Sequence, residues 1–203
     1  MSLDLLRAVH ARPGPWGFFR RQVLRSYARM VEWSTKLHRR TLNLSRVSGY
    51  LFVGGHVPRV HYRRLAALGI TAVVDLRAER QDDSRALTAL GIEYVNLPAP
   101  DHFAPSRAQL EEGVNWMLSR VERGGRVFVH CEHGVGRGPL MGLCLMVALG
   151  ESPDAAYRTL RGQRWQATLN DRQLEALADF AEQLPRTQTS NLPATGTPGQ
   201  GEE

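Results

Sequence analysis

The segment that most constrains this chain is RVFVHCEHGVGRGPLMGLCLMVALG, residues 126–150. RVFVH (126–130) is β-branched and aromatic, and short enough for a strand buried on both faces. An apolar helix is expected over 137–149, and only six residues separate it from the strand. Two of the six, Gly134 and Gly136, let the backbone curl tightly. A buried strand that turns directly into a buried helix is half of a parallel crossover, which directs the chain to the α/β class.

The rest of the middle region repeats that alternation. GYLFVGG (49–55), TAVVDL (71–76) and IEYVNL (92–97) read as further strands, and RVHYRRLAALGI (59–70) and ERQDDSRALTALG (79–91) as helices closed by glycine. A proline-containing polar loop, PAPDHFAPS, precedes a helix from Arg107 to Glu122 that Ser106 is placed to cap. Helices are also expected over 153–163 and 170–184. The expected fold is a central, mostly parallel sheet of four to five strands with helices on both sides, over 46–184. The final stretch, 185–203, is rich in proline, glycine, serine and threonine without a hydrophobic period, so disorder is expected there.

Charge is unevenly distributed. The net charge is +6, yet residues 1–45 hold nine basic and two acidic residues, leaving 17 basic and 18 acidic in the remainder. A nearly neutral body argues against a nucleic-acid partner and draws attention to the arm. Within the arm, residues 15–40 have helical spacing. Phe19, Val23, Tyr27, Met30 and Leu37 form one face, and Arg21, Arg25, Arg29, Lys36, Arg39 and Arg40 the other. Such a helix either packs its apolar face on its own domain or lies on an anionic membrane surface. The first nineteen residues do not have the pattern of a secretory signal, and no apolar stretch approaches the roughly 20 residues of a membrane span. With two cysteines, Cys131 and Cys144, a disulfide framework is not expected. A reducing, cytoplasmic compartment follows, with peripheral membrane contact through the arm as the added expectation.

The loop after the fourth strand carries the chemistry. Glycines and a helix N-terminus gather backbone N–H groups around one point, which suits a tetrahedral oxyanion. Glu132, His133, Gly134, Val135 and Gly136 supply that cradle, and Arg137 adds a two-pronged, charge-assisted contact. Cys131 sits at the base of this electropositive site, where a thiolate nucleophile is favoured.

With these residues in place, the sequence resembles the cysteine-dependent protein tyrosine phosphatases, and within them the compact dual-specificity branch. The resemblance spans about residues 48–183 and rests on VHCEHGVGR (129–137), GYLFVGG, GITAVVDLRAE (69–79) and the aspartate loop followed by a helix. It implies a phosphomonoester hydrolase with a cysteinyl-phosphate intermediate on Cys131, Arg137 on the phosphoryl group, and Asp101 as general acid and then base. His102 is its competitor. His130 is implied to support the loop by hydrogen bonding. The family usually has serine or threonine after the arginine, where this chain has Gly138. Loss of that hydroxyl predicts slow breakdown of the phosphoenzyme. No cofactor or metal is expected.

The substrate is left open between a phosphorylated protein residue (Tyr, Ser or Thr) and a lipid or phosphoinositide phosphomonoester. Lysines are absent from the variable loop positions, which disfavours a highly charged headgroup. Two other functions compete with hydrolysis: a phosphate-binding module of low turnover, suggested by Gly138, and a rhodanese-type sulfur transferase, disfavoured by Arg137 and Asp101. Asp75, Arg77 and Glu79 read as structural, Cys144 as core, and Arg161 and Arg164 as either surface charges or substrate contacts.

Overall fold

A computed structural model describes residues 42–184 of the protein. The arm helix over 15–40 and the tail over 185–203 lie outside the described residues.

Five strands form one sheet in the order β1-β2-β5-β3-β4: β1 (Leu44–Arg46), β2 (Leu51–Gly54), β3 (Ile70–Arg77), β4 (Glu93–Ala99) and β5 (Arg126–His130). β1 pairs antiparallel with β2, and every other pairing is parallel. The helices are α1 (Tyr62–Ala67), preceded by a short 3-10 turn (Arg59–His61), α2 (Ser84–Thr88), α3 (Arg107–Val121), α4 (Arg137–Ala148), α5 (Pro153–Gln163) and α6 (Asp171–Glu182). The α/β class and the mostly parallel sheet are those expected from the strand–helix alternation.

Period-two alternation divides the sheet between two cores. Val127 and Val129 of β5 join Val53, Val74 and α3–α6 on one face, while Phe128 joins Phe52, Val73, Tyr62, Leu65 and Leu87 on the other. β5 lies between β2 and β3, so both its faces are covered. Helix α4 is buried all round, from Arg137 to Val147, because helices and sheet enclose it. Its apolar sequence is therefore that of a central core helix, and Cys144, fully buried there, has its thiol pushed well up by burial.

Two elements differ from the sequence expectation. The helix read over 79–91 is confined to Ser84–Thr88, with Asp83 as its N-cap accepting from Ala86 N–H at 3.0 Å. Upstream of that cap, Glu79 and Asp82 are drawn to arginines elsewhere, as described below, so the backbone there is not helical. Strand β1, only Leu-Ser-Arg, carried no alternation long enough to read. The cap of α3 is as expected: Ser106 and Gln109 form a reciprocal capping box.

Candidate active site

Strand β5 delivers Cys131 to the end of the sheet, where it is 3% exposed. The loop that follows is held from outside. The carbonyl of Glu132 accepts from His56 N–H at 3.0 Å, and that of Val135 from Thr168 N–H at 2.8 Å. Between them, the His133 carbonyl accepts from Asn43 Nδ2 at 3.2 Å and Arg164 Nη2 at 3.1 Å, and the Gly134 carbonyl from Arg164 Nε at 2.7 Å. Four consecutive carbonyls are thus turned outward. In a trans peptide the next N–H points the opposite way, and the described chain has no cis bond, so the N–H groups of residues 133–136 face inward. Gly134 N–H accordingly donates to Cys131 Sγ at 3.3 Å.

Glycine is required at 134 for two reasons. Its φ is +70°, and a Cβ there would lie 2.3 Å from the Gly54 carbonyl carbon. Gly138 serves another end: a Cβ on it would lie 3.2–3.3 Å from the backbone of His130 and Cys131, so the first turn of α4 presses directly on the strand end. The residue after the arginine is thereby a packing contact as well as a missing hydroxyl.

Arg137 opens α4 and is 2% exposed. Its Nη1 and Nη2 donate to the two oxygens of Glu79, each at 2.9 Å, and Nη1 also to the Ala99 carbonyl at 2.9 Å. Asp101 Oδ1 lies 2.9 Å from Nη2. Nε, buried, has no hydrogen-bond partner among the described residues. The edge of the guanidinium formed by Nε and Nη2 therefore carries one unused donor and one shared with an exposed carboxylate. Hydrogen bonding from Arg137 is the main cause that holds Glu79 down at about 2, well below the usual carboxylate range.

Asp101 stands at the tip of the loop after β4, its side chain 51% exposed. Beside it, His102 has a positive φ of 64° and its Nε2 is 3.4 Å from Asp101 Oδ2. That loop is tied to α6: Asn170 Nδ2 donates to the His102 carbonyl at 2.8 Å and Gln173 Nε2 to that of Phe103 at 3.2 Å. Gln173 also borders the cysteine loop, because a Cβ on Gly136 would meet its amide at 2.7 Å.

A second charged group is sealed behind the strand ends. Arg77 donates to Asp75 at 2.8 Å through both Nε and Nη2, and to Asp82; His130 Nε2 lies 3.2 Å from Asp82 Oδ2. His130 Nδ1 is 3.3 Å from the Cys131 carbonyl, and its ring stacks on Phe128 at 5.0 Å. Burial opposes ionisation of Asp82, but hydrogen bonds from His130 and His56 and the Arg77 charge hold it well below the ordinary range. Asp75, Asp82 and His130 have ligand-type atoms within 4.8 Å of one another. The trio does not fit a metal ion, because the Arg77 guanidinium is already the cation between those carboxylates.

The structure brings Cys131, Arg137 and Asp101 together around the loop of residues 132–136. Glu132 contributes backbone only; its side chain turns away to Arg80, whose Nε donates to it at 3.0 Å. Sequence reasoning missed Glu79 as the partner of Arg137, and Asn43 and Thr168 as anchors of the loop; it left Arg164 undecided. These residues are 58, 90, 33 and 30 or 31 positions from their partners, and nothing local marks them.

Comparison with known proteins places the chain beside phosphatases. Residues 54–151 match the family described as a polymorphic toxin system, DSP-PTPase phosphatase. The chain is 26% identical to phosphatidylglycerophosphate phosphatase PTPMT2 of Arabidopsis thaliana, over 74% of this chain and 68% of that one. It is 25% identical to dual specificity protein phosphatase 1 of Mus musculus, over 68% of this chain but 37% of the mouse protein. Among solved structures, Tk-PTP in its active form superposes with a TM-score of 0.64 at 28% identity, covering 70% of this chain and 98% of that one.

Proposed function

We propose that the chain is a cysteine-dependent phosphatase of the dual-specificity-like branch and that it hydrolyses phosphomonoesters on proteins through a cysteinyl-phosphate at Cys131. The observation that carries the proposal is the loop itself: four consecutive carbonyls are held outward and the Gly134 N–H donates to the Cys131 sulfur, with the Nε of a buried arginine left without a partner among the described residues.

A phosphoryl group seated there accepts from the N–H groups of residues 133–136. It also takes the Nε and Nη2 edge of Arg137, releasing Asp101 from Nη2. Sγ attacks phosphorus as the thiolate and the ester P–O bond breaks. Asp101, protonated and at the exposed mouth, gives its proton to the leaving oxygen. Water then attacks phosphorus, Asp101 accepts the water's proton, the P–S bond breaks, and phosphate leaves with Cys131 again a thiolate. Glu79 keeps the guanidinium in one plane throughout. Gly138 offers no hydroxyl to the departing sulfur, so the second half is the slow one.

Hydrolysis of an aryl phosphate tests the assignment. Cys131→Ser is expected to lower turnover by about 10⁴-fold or more, and Asp101→Asn by about 10²–10⁴-fold with loss of the limb of the pH profile that falls as pH rises. Rapid-mixing assays are expected to show a burst of alcohol release. Equal phosphate binding by wild type and Cys131→Ser, with no turnover in either, would instead identify a binding module. A lipid phosphomonoester is the second candidate, favoured by similarity to the plant phosphatidylglycerophosphate phosphatase and by the basic, amphipathic sequence of residues 15–40. Lipid hydrolysis that depends on residues 15–40, with no activity on phosphopeptides, would select it.

A further inference from the structure

Two buried guanidinium groups flank the loop, and their partners differ in charge. Arg137 is met by two carboxylates, Glu79 and Asp101. Arg164, 1% exposed, is met by none among the described residues: it donates to the carbonyls of Gly134 and His133, to Asn43 Oδ1 at 2.8 Å and to Ser45 Oγ at 3.4 Å. All four acceptors are neutral. Burying a cation without a counter-ion is costly unless hydrogen bonds or a ligand's charge offset it.

Resting on the phosphatase reading above, we infer that Arg164 is a positioning residue: it holds the His133 and Gly134 carbonyls outward and supplies the positive charge that the anionic substrate and the sulfur require. The charge count supports this. Arg137 with ionised Glu79 and the protonated Asp101 of the proposed mechanism sums to zero, so that group alone offers a phosphoryl dianion no net positive charge. Arg80 offsets Glu132, and the Arg77 group with Asp75 and Asp82 also sums to one negative charge when His130 is neutral. Arg164, bonded directly to two carbonyls of the loop, adds positive charge there without a paired carboxylate among the described residues. Burial pushes its own ionisation down to about 10, and the charge of Cys131 acts in the opposite direction, as expected of facing groups.

Asn43 gives the test, because Asn43→Asp places a carboxylate on Arg164 at almost unchanged shape. Two quantities are read on the full-length chain: inhibition of aryl phosphate hydrolysis by inorganic phosphate, and the midpoint of pH-dependent alkylation of Cys131 by iodoacetamide, followed by mass spectrometry. Asn43→Asp and Arg164→Met are each expected to weaken phosphate inhibition about 10-fold and raise the alkylation midpoint by about one pH unit. Arg164→Lys, which keeps the charge and loses the fork, is expected to keep the midpoint within a few tenths of a unit while its KM rises. Folded Asn43→Asp protein, verified by cooperative thermal unfolding, with wild-type inhibition and midpoint would overturn the inference. So would equal midpoint shifts in Arg164→Lys and Arg164→Met, which would reduce Arg164 to a scaffold. If Arg164→Met does not fold, Asn43→Asp decides alone. A wild-type chain that fails to hydrolyse aryl phosphate strikes the phosphatase reading instead, whereas the alkylation midpoint is measured without turnover.

Discussion

Arg77 and Arg137 are both buried arginines held by two close carboxylates, and Arg77 also has Glu132 at 3.6 Å. The two close carboxylates of Arg77 are sealed: the side chains of Asp75 and Asp82 are 0% and 2% exposed. Those of Arg137 are open, with Glu79 39% and Asp101 51% exposed. An ion pair sealed on all sides cannot exchange a partner without leaving a charge unsolvated. An open one can give a carboxylate back to water and take an anionic ligand in its place. The same residue types are thereby a fastening in one location and an exchangeable contact in the other.

Substitution should separate the two groups completely. Arg77→Met leaves Asp75 and Asp82 buried without their cation, and a loss of about 3–5 kcal/mol of stability is expected. In a chain of this size that amounts to a fall of roughly 10 °C or more in Tm by calorimetry. Arg137→Lys should reverse the pattern. The lysine keeps a charge near Glu79 but loses the planar fork, so turnover on an aryl phosphate should fall by about 10²–10³-fold with little change in Tm. A large Tm loss in Arg137→Lys, or retained Tm in Arg77→Met, would break the distinction between a sealed and an open group.

How far the sequence reveals these groups depends on chain distance. The strand, loop and helix around Cys131 are contiguous, so residue types and spacing are enough to place Gly134, Gly136 and Arg137 around one sulfur. The helix read over 79–91 failed because its first residues satisfy arginines outside it: Glu79 grips Arg137, 58 positions on, and Asp82 grips Arg77 at the end of β3, and neither contact has a periodic signature. Asn43 and Arg164 were illegible for the same reason, since they act on backbone carbonyls, which carry no side-chain pattern to complement. Asp101 could be placed on an exposed loop, but its approach to Nη2 of Arg137 is set by the Asn170 and Gln173 contacts from α6.

Gly138 lies at the seam between the two groups, because its Cα faces the backbone of His130, which belongs to the sealed group, and Cys131, which belongs to the open one. Gly138→Ser puts a Cβ 3.2–3.3 Å from those atoms, so either α4 or the strand end must give way by a few tenths of an ångström. A stability loss of about 1 kcal/mol is expected from this overpacking. On the proposed mechanism the new hydroxyl also helps the sulfur leave, so the burst should shrink and steady-state turnover rise. A less stable protein with an unchanged burst would mean that packing is the whole reason for glycine here.

The smallest expected effect is that of Glu79→Gln, and its sign depends on pH. Glu79 is held at about 2, chiefly by hydrogen bonds from Arg137, against an ordinary carboxylate value of about 4.3 in the unfolded chain. Its ionised form is therefore favoured by folding. The contribution to stability is fully present above the unfolded value and is lost as pH falls from about 4 through about 2. Because Glu79 is more than a third exposed, solvent screening keeps this below about 1 kcal/mol. Denaturant unfolding of wild type and Glu79→Gln should differ by a constant amount from about pH 5 to neutrality and converge in the acid range. High salt should narrow the gap, since an open pair is screened where a sealed one is not. A gap that persists at about pH 2, or that ignores salt, would place Glu79 with the sealed carboxylates of Arg77 and remove the contrast between the two arginines.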